Sequence, residues 1–450
     1  MQIRDHLCVV ALFCSFAQSS AAATWYVATN GNDGAVGTSW STAKLTIQAG
    51  IDTATANDTV VVGDGVYATG GRAMYGAMTN RIALDKPITV RSANGPVAAV
   101  VVGTGPTNIA AVRCAYVTNG AVLCGFTLTN GATRSTGDYA REQCGGGAWC
   151  EPAGLLSNCA LAGNSAYRDG GGSYRGALNN CTLSGNWAGG DGGGVCNGTL
   201  NNCVLVGNVA SASGGGVYSC ALSNCTLSGG AAEEGGGSCG GTLLNCTLTG
   251  NSAFDGGGGS HGGTLTDCTL TGNSAIDGGD STPFGGGSYD GTLNNCLITG
   301  NSAPSGGGSY CGTLNNCTLI ANSAVDGGGS YFGTLYNCTI CGNTAYARDW
   351  TYVGMGHGGG AYCSTLDDCT LSLNGASDGG GSYEGVLKNC TLTGNVAEDP
   401  WGYSGSSIHN GGGSYGGTLI NCTLANNHAR RGSYSSYAGY GYGGGRMGGR

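Results

Sequence analysis

Apolar and polar residues alternate in short runs that recur every 21–22 residues along most of the chain. Within a run, a cysteine and a leucine are separated by one polar residue, as in Cys181-Thr182-Leu183. Side chains two positions apart share one face of a β-strand, so the cysteine and the leucine point to the same side. The pattern predicts short strands with one buried face and contains no helical periodicity.

Twelve cysteines mark the repeat, and three other columns keep a fixed distance from them. A leucine lies three positions before each cysteine, and a leucine or isoleucine lies two positions after it. An asparagine lies five positions after eleven of the twelve, with Gly230 as the exception, and a run of glycines opens each coil. The cysteines are at positions 159, 181, 203, 225, 246, 268, 296, 317, 338, 369, 390 and 422.

The spacing between columns requires turns. Leu178 lies three positions before Cys181, so both can point inward only if the chain turns at Asn179-Asn180. Asparagine tolerates the left-handed backbone of a tight turn. Coils stacked at about 4.8 Å would align identical side chains into ladders, and a leucine-rich repeat of similar period would need a helix that these coils lack. The sequence therefore predicts an all-β parallel β-helix solenoid of about 15–16 coils.

The chain divides into four segments. Residues 1–23 resemble a signal peptide, with a basic start, an apolar run from Leu7 to Phe16 and a small-residue cleavage site, so the mature chain is expected to begin at Thr24. Residues 24–130 are expected to form the N-terminal cap and irregular first coils, and residues 131–429 the regular coils with insertion loops. Residues 430–450 are rich in Gly, Tyr and Arg, and a truncated coil is one interpretation of them.

A short capping helix is expected between residues 41 and 56. Leu45, Ile47 and Ile51 would form its apolar side. Such a helix would cover the first rung, which is otherwise an open sheet edge.

The charge balance limits the partners and the location. The net charge is −9 and only 10% of residues are charged, which argues against nucleic acid and anionic membranes. The N-terminal apolar run is too short to span a membrane, and no other segment approaches a transmembrane helix. The protein is expected to be exported to the extracellular space, the outer membrane surface or the periplasm.

Several motifs resemble those of a known superfamily. The opening Trp25-Tyr26-Val27-Ala28-Thr29-Asn30-Gly31-Asn32-Asp33, with Asp58-Thr59-Val60-Val61-Val62 after it, resembles the first coil of exported β-helix proteins of the pectate-lyase-like superfamily. The Gly-Gly-Gly-Ser-Tyr and Leu-x-Gly-Asn runs are similar to repeats of polymorphic outer membrane proteins. The resemblance implies a single-stranded, right-handed parallel β-helix. It leaves the activity open, because the superfamily includes lyases, hydrolases, epimerases, tailspikes and adhesins.

The cysteine column has two interpretations. Stacked cysteines can act as small apolar residues with free thiols, or off-column pairs such as Cys144 and Cys150 can form disulfides in an oxidising compartment. The column contains no CxxC pair and has no nearby histidine, which argues against zinc.

An acidic column precedes the glycine runs. Its carboxylates could bind Ca²⁺, with Asp169, Asp191 and Asp255 as the candidate ligands, or could bond to the backbone of their own turns. No other cofactor is expected. The column consists of Asp169, Asp191, Glu234, Asp255, Asp326 and Asp378.

Insertions enter every lengthened coil at the same corner, between a cysteine and the next glycine run. Their exposed aromatic residues suit glycan or protein binding, and the alternative is loops that pack on their own rod. The candidate ligand-binding residues are Tyr139, Trp350, Tyr352, Trp401 and Tyr403.

Two functions follow. The first is a non-catalytic adhesion or structural protein that binds an extracellular polysaccharide or a surface protein, with end-to-end self-association through its last rung. The second is a polysaccharide-active enzyme, either a lyase or a hydrolase, although the scarcity of Lys and Arg weighs against a lyase. Its candidate catalytic residues are Asp349, His357, Asp399 and His409.

Overall fold

The structure is a computed structural model that describes residues 22–276, 282–346, 356–398 and 409–430, and the backbone of a strand at 446–447. Most of the predicted signal peptide therefore lies outside the described residues. The chain winds into a parallel β-helix of 16 coils, as the repeat predicts. Its interior is bounded by three long sheets, A, B and C, and by a fourth short side, D.

Sheets A and B hold the strands on either side of the cysteine column. Every strand pairs in parallel with the equivalent strand of the coil before and the coil after it. Sheet A consists of Thr24–Val27, Thr59–Val62, Thr89–Ser92, Val122–Cys124, Leu155–Ser157, Ala177–Asn179, Thr199–Asn201, Ala221–Ser223, Thr242–Leu244, Thr264–Thr266, Thr292–Asn294, Thr313–Asn315, Thr334–Tyr336, Thr365–Asp367, Val386–Lys388 and Thr418–Ile420. Sheet B consists of Gly65–Tyr67, Ala99–Val102, Thr127–Thr129, Ala160–Ala162, Thr182–Ser184, Val204–Val206, Thr226–Ser228, Thr247–Thr249, Thr269–Thr271, Leu297–Thr299, Thr318–Ile320, Thr339–Cys341, Thr370–Ser372, Thr391–Thr393 and Thr423–Ala425.

Sheet C follows the glycine runs, and its first two strands form its single antiparallel pair among the described residues. It consists of Arg72–Ala73, Thr79–Leu84, Val112–Val117, Ala148–Cys150, Ser173–Tyr174, Val195–Cys196, Val217–Tyr218, Ser238–Cys239, Ser260–His261, Ser288–Tyr289, Ser309–Tyr310, Ser330–Tyr331, Ala361–Tyr362, Ser382–Tyr383, Ser414–Tyr415 and Arg446–Met447. Side D consists of Ser165–Ala166, Trp187–Ala188, Val209–Ala210, Ala231–Glu234, Ser252–Gly256, Ser274–Ala275, Ser323–Ala324, Thr344–Ala345, Gly375–Ala376, Val396–Ala397 and His428–Ala429.

Each coil visits the sides in the order A, B, D, C, and left-handed residues make the turns. Asn180 has a φ of 54° between sheets A and B, which confirms the predicted turn at Asn179-Asn180. Gly185, with a φ of 58°, makes the next turn, and Gly192, with a φ of 65°, begins the glycine run. A Cβ atom at Gly192 would lie 2.5 Å from the Val195 carbonyl oxygen, so this corner requires glycine.

The leucine and cysteine columns fill the interior, as predicted. Leu178, Cys181 and Leu183 are at most 1% exposed, and Phe126 takes the cysteine position of an early coil. The 22 cysteines of the described residues are all free thiols, which favours the first interpretation of the column.

The suggested disulfide between Cys144 and Cys150 is wrong. Cys150 belongs to the core inside the coil, whereas Cys144 packs among aromatic rings on the outer face of sheet C. The sheet therefore separates the two thiols. The Cys144 thiol donates instead to the carbonyl of Tyr139.

The predicted capping helix is present as α1, Ile47–Thr53. Its N-cap is Thr46, whose side chain accepts a hydrogen bond from the Ala49 N–H. Ile47 and Ile51 are buried, as expected. Leu45 is not part of the apolar side, because it precedes the helix and is 40% exposed. The other helices are a 3₁₀ turn at Trp40–Thr42 and α2 at Tyr139–Glu142.

Within the described ranges, none of the helices combines the length and the apolar character needed to cross a membrane.

Candidate functional site

The outer face of sheet C carries a column of aromatic side chains. In the two-residue strands from Ser173–Tyr174 to Ser414–Tyr415, the first residue points into the core and the second points outward, as in buried Ser330 and half-buried Tyr331. The strands pair in register, so the outward residues of successive coils lie on one another. We call the six tyrosines of the later coils the tyrosine column: Tyr289, Tyr310, Tyr331, Tyr362, Tyr383 and Tyr415.

The rings of the tyrosine column stack face to face. Ring centroids of Tyr310 and Tyr331 are 5.0 Å apart with an interplanar angle of 10°, and those of Tyr331 and Tyr362 are 4.5 Å apart at 8°. Because the faces contact each other, the ring edges and hydroxyls form the outer surface. Burial in the stack, with the charges of neighbouring groups, raises the pKa of Tyr310 to about 12. The Tyr310 phenol therefore stays a neutral hydrogen-bonding group at physiological pH.

The early part of the same face is covered. Tyr116, Trp149 and Tyr174 stack there, and the Trp149 indole donates to the Ala140 carbonyl of helix α2. The Tyr139 hydroxyl donates to Asp169 at 2.9 Å, and Arg168 lies over the Tyr139 ring. The insertion that carries Tyr139 therefore packs on its own rod. From His261 onward, the outward residues of the described two-residue strands of sheet C up to Ser414–Tyr415 are half-buried rather than buried.

The acidic column lies at the corner between side D and sheet C. Its carboxylates bond to the backbone of the next coil: Asp169 accepts from the Asp191 N–H, and Asp191 accepts from the Ser213 N–H. Burial raises the pKa of Asp191, and the charges of Asp169 and Glu234 add to this effect. Such bonds occupy lone pairs that a Ca²⁺ ion would need, so they do not favour calcium here.

Asp255 does not continue the column as the sequence suggested. The register shifts between Ala232 and Glu234, so Glu234 pairs with Gly256 rather than with Asp255. This bulge places Glu234 and Asp255 together at a small cavity of about 100 Å³.

A histidine–aspartate pair stands beside the tyrosine column. His357 Nδ1 lies 2.8 Å from Asp326 Oδ1, and the His357 ring centroid lies 4.6 Å from that of Tyr383. Burial lowers the pKa of His357, but the hydrogen bond and charge of Asp326, with the charges of Asp378 and Glu384, outweigh it and raise the pKa. Because Nδ1 donates to the carboxylate, Nε2 is the nitrogen that can accept a proton in the neutral ring.

The other candidate residues are placed differently. His409 is 3% exposed, and its Nδ1 donates to the Ser377 carbonyl at 2.9 Å. It therefore does not share a surface pocket with His357. The candidates outside the described residues are Asp349, Trp350, Tyr352, Asp399, Trp401 and Tyr403.

One group of side chains could hold a metal ion. Within the described part of the chain, Glu234, Cys239 and His261 are the three metal-binding side chains whose ligand atoms lie within 4.8 Å of one another. The lack of CxxC pairs and nearby histidines concerns only the interior cysteine column. Cys239 belongs instead to the outer face of sheet C, where His261 lies one coil above it.

The tyrosine column was missed as a site, although a signal for it was present. Tyrosine follows serine directly after the glycine run in five late coils, from Tyr289 to Tyr415, with Tyr362 after an alanine. Only the stacking in space shows that these residues form a continuous surface.

No protein-family model matches the chain, and no curated protein resembles it in sequence. Among solved structures, it is similar to a rhamnogalacturonan lyase, with 15% identity over 73% of this chain and 83% of that one, at a TM-score of 0.33. It is also similar to the A-module of mannuronan C-5 epimerase AlgE4 from Azotobacter vinelandii, with 15% identity over 84% of this chain and 90% of that one, at a TM-score of 0.31. A third similar structure is the pectate lyase Pel9A, with 14% identity over 91% of this chain and 79% of that one, at a TM-score of 0.22. These likenesses are all at 15% identity or less, and they assign no activity to this chain.

Proposed function

We propose that this protein is an exported polysaccharide-binding protein and that the tyrosine column is its contact surface. The observation that carries the proposal is the unbroken outward stack from Tyr289 to Tyr415. Its five steps span about 24 Å, at about 4.8 Å per coil. One step is about the length of one sugar ring, so a polysaccharide parallel to the rod would meet one tyrosine for each sugar.

The chemistry of the column suits sugar hydroxyls. Each phenol can donate and accept a hydrogen bond, and the ring edges offer apolar surface to the C–H groups of a sugar. The surface also repeats with the coil, as a polymer repeats with its sugar units.

The charges favour a neutral polymer. Arg348 is the only Lys or Arg between Arg175 and Lys388, whereas carboxylates are frequent there. The pKa of Tyr383 is raised by burial and by the charges of Glu384 and Asp378, which places both carboxylates near the column. A polyuronate would meet like charge on this face, whereas a neutral glycan would not.

Binding to soluble neutral and acidic polysaccharides, measured by calorimetry, tests the proposal. We expect neutral polymers to bind and Tyr331→Ala to weaken their binding. Tyr331→Phe keeps the ring and removes the hydroxyl, so it shows which of the two contributes to the affinity. Tyr336→Ala is the matched control, because Tyr336 is 46% exposed and lies on sheet A. Equal affinity of Tyr331→Ala, Tyr336→Ala and the unchanged protein would contradict the proposal.

A second candidate function is polysaccharide cleavage, and the His357–Asp326 pair favours it. A carboxylate that fixes the tautomer of a histidine is a common arrangement for general acid–base catalysis. His357 would exchange the proton at Nε2, beside the surface that holds the polymer.

Release of reducing ends or unsaturated products from polysaccharides tests the second function. We expect any such activity to fall in His357→Gln and in Asp326→Asn. The control is His428→Gln, because His428 is exposed and lies on side D. Activity that survives both substitutions would exclude His357 as the catalytic group. Binding of a polysaccharide without its cleavage would support the binding function and contradict the catalytic one.

A further inference from the structure

The aromatic column of sheet C is interrupted at two successive coils by Cys239 and His261. The two residues are register partners on neighbouring strands, so their side chains leave the sheet side by side. His261 Nδ1 lies 3.6 Å from Cys239 Sγ and 3.3 Å from Glu234 Oε2. Three different metal-binding groups from two coils therefore meet at one point.

The local backbone places the carboxylate there. The register shifts between Ala232 and Glu234, where Glu233 alone lies opposite Phe254 and Asp255 of the next coil, so Glu234 pairs with Gly256. Ser213 of the preceding coil donates to Glu234 Oε2 at 3.4 Å. Glu234 thus has a supporting hydrogen bond of the kind that orients metal ligands.

The distances fit zinc. With metal–ligand bonds of about 2.0–2.3 Å, a tetrahedral site separates a nitrogen from an oxygen ligand by about 3.4 Å and from a sulfur ligand by about 3.6 Å. The observed separations of 3.3 Å and 3.6 Å match both values. Thiolate, imidazole and carboxylate are also the donors that Zn²⁺ takes, whereas Ca²⁺ takes oxygen ligands.

Glu234 and His261 also line the cavity of about 100 Å³, so a fourth ligand can enter from it. Its walls include Asp255, Phe284 and Tyr289, and the His261 ring packs 4.8 Å from the Tyr289 ring. A water molecule in this cavity can complete the coordination. Three protein ligands with an accessible fourth position are typical of catalytic rather than purely structural zinc sites.

We propose that Glu234, Cys239 and His261 form a binding site for Zn²⁺ on the outer face of sheet C. The proposal does not depend on polysaccharide binding, because its three ligands are not members of the tyrosine column and use different chemistry, although Tyr289 borders both sites. The alternative is that His261 and Glu234 form an ion pair beside the buried Cys239 thiol and bind no metal.

Metal titration of the full chain tests the site. After treatment with a chelator, the protein is titrated with Zn²⁺ against a chromogenic competitor, and separately with Co²⁺ to record its absorption spectrum. We expect one equivalent to bind, with a thiolate-to-cobalt charge-transfer band and the intense visible bands of tetrahedral cobalt. Cys239→Ser and His261→Gln should each weaken Zn²⁺ binding by at least about tenfold.

The matched control is Cys196→Ser. Cys196 lies in the same column, two coils earlier, and is also buried, but it is not part of the ligand group. Circular dichroism checks that each variant is folded. Absence of Zn²⁺ binding by the unchanged protein would overturn the proposal, and so would a Co²⁺ spectrum that persists in Cys239→Ser, since another thiol would then hold the metal. A rise in the Tm of the unchanged protein with Zn²⁺, lost in His261→Gln, would support the site without relying on affinity.

Discussion

At the scale of single residues, the interior asparagines join one coil to the next. Asn273 Oδ1 accepts from the backbone N–H and the side-chain amide of Asn251, and Asn273 Nδ2 donates to the Leu248 carbonyl and to Asn301 Oδ1. Each amide thus satisfies its donors and acceptors without water, which is why a polar residue is stable in this core.

Asn273→Ala should therefore destabilise the protein. It leaves the Asn251 N–H without a partner and removes one acceptor of the Asn251 side-chain amide, and each buried unsatisfied group costs about 1–3 kcal/mol. Urea unfolding followed by circular dichroism measures the loss. Asn294→Ala is the control, because Asn294 is half-buried on the outer side of sheet A. A similar unfolding midpoint for both variants would show that the interior ladder contributes little.

The His357–Asp326 pair should make stability depend on pH. The pKa of His357 is raised in the folded state, so the folded protein holds the proton more tightly than the unfolded chain does. This stabilisation is complete below the unfolded pKa of about 6.5, and it is lost as the pH rises through the folded-state pKa. Asp326→Asn should lower the His357 pKa and reduce the Tm more in acid than in alkali. NMR titration of the imidazole measures the first effect. An unchanged pKa would mean that Asp378 and Glu384 control it.

At the scale of elements, the tyrosine column adds stacking energy to sheet C, whose strands are mostly two residues long. Tyr331 lies between the rings of Tyr310 and Tyr362 and also meets Phe332 at 4.6 Å. Short strands have few backbone bonds each, so the outer stack helps to hold the coils in register.

Tyr331→Ala should lower the free energy of unfolding by about 1–3 kcal/mol from the loss of its two stacked neighbours, Tyr310 and Tyr362, at about 0.5–1.5 kcal/mol for each stacked pair. Tyr415→Ala should cost less, because among the described residues Tyr415 stacks on one ring, that of Tyr383. Tyr331→Phe keeps the stack and should be close to the unchanged protein. If Tyr331→Phe were as unstable as Tyr331→Ala, the hydroxyl rather than the ring contact would be responsible.

At the scale of the whole molecule, the rod is a one-dimensional stack in which each coil contacts its neighbours. Backbone bonds run from coil to coil, and cysteine thiols contribute to them, as where the Cys203 N–H donates to Cys225 Sγ at 3.4 Å. Stability is then expected to be a sum of coil and interface terms.

Thiol labelling should report on this packing. Of the described cysteines, Cys311 is exposed, Cys124, Cys341, Cys363 and Cys422 are half-buried, and the rest are buried. In a chain that begins at Thr24, we expect Cys311 to react first with a thiol reagent and all 22 thiols to react after denaturation. Burial and Asp290 raise the Cys311 pKa, so its reaction should accelerate with alkali. Cys311→Ser should abolish the fast phase, whereas Cys317→Ser should not.

The sequence alone determined the coil. Leu178, Cys181 and Leu183 predicted the inward columns because burial imposes a period of two on each strand, and the left-handed turn at Asn180 followed from their spacing. Ile47 and Ile51 predicted the capping helix for the same reason. Interior positions repeat because every coil meets an identical neighbour.

Only the tertiary structure decided which outward side chains meet. Asp326 and His357 are 31 residues apart, and an insertion separates them. Cys239 and His261 follow the repeat, but Glu234 lies beside them where the register between neighbouring coils shifts after Ala232. Outward positions carry no hydrophobic pattern, because water accepts almost any side chain there. Their contacts depend on insertion lengths and on the register of the sheets, which are fixed only when the coils stack.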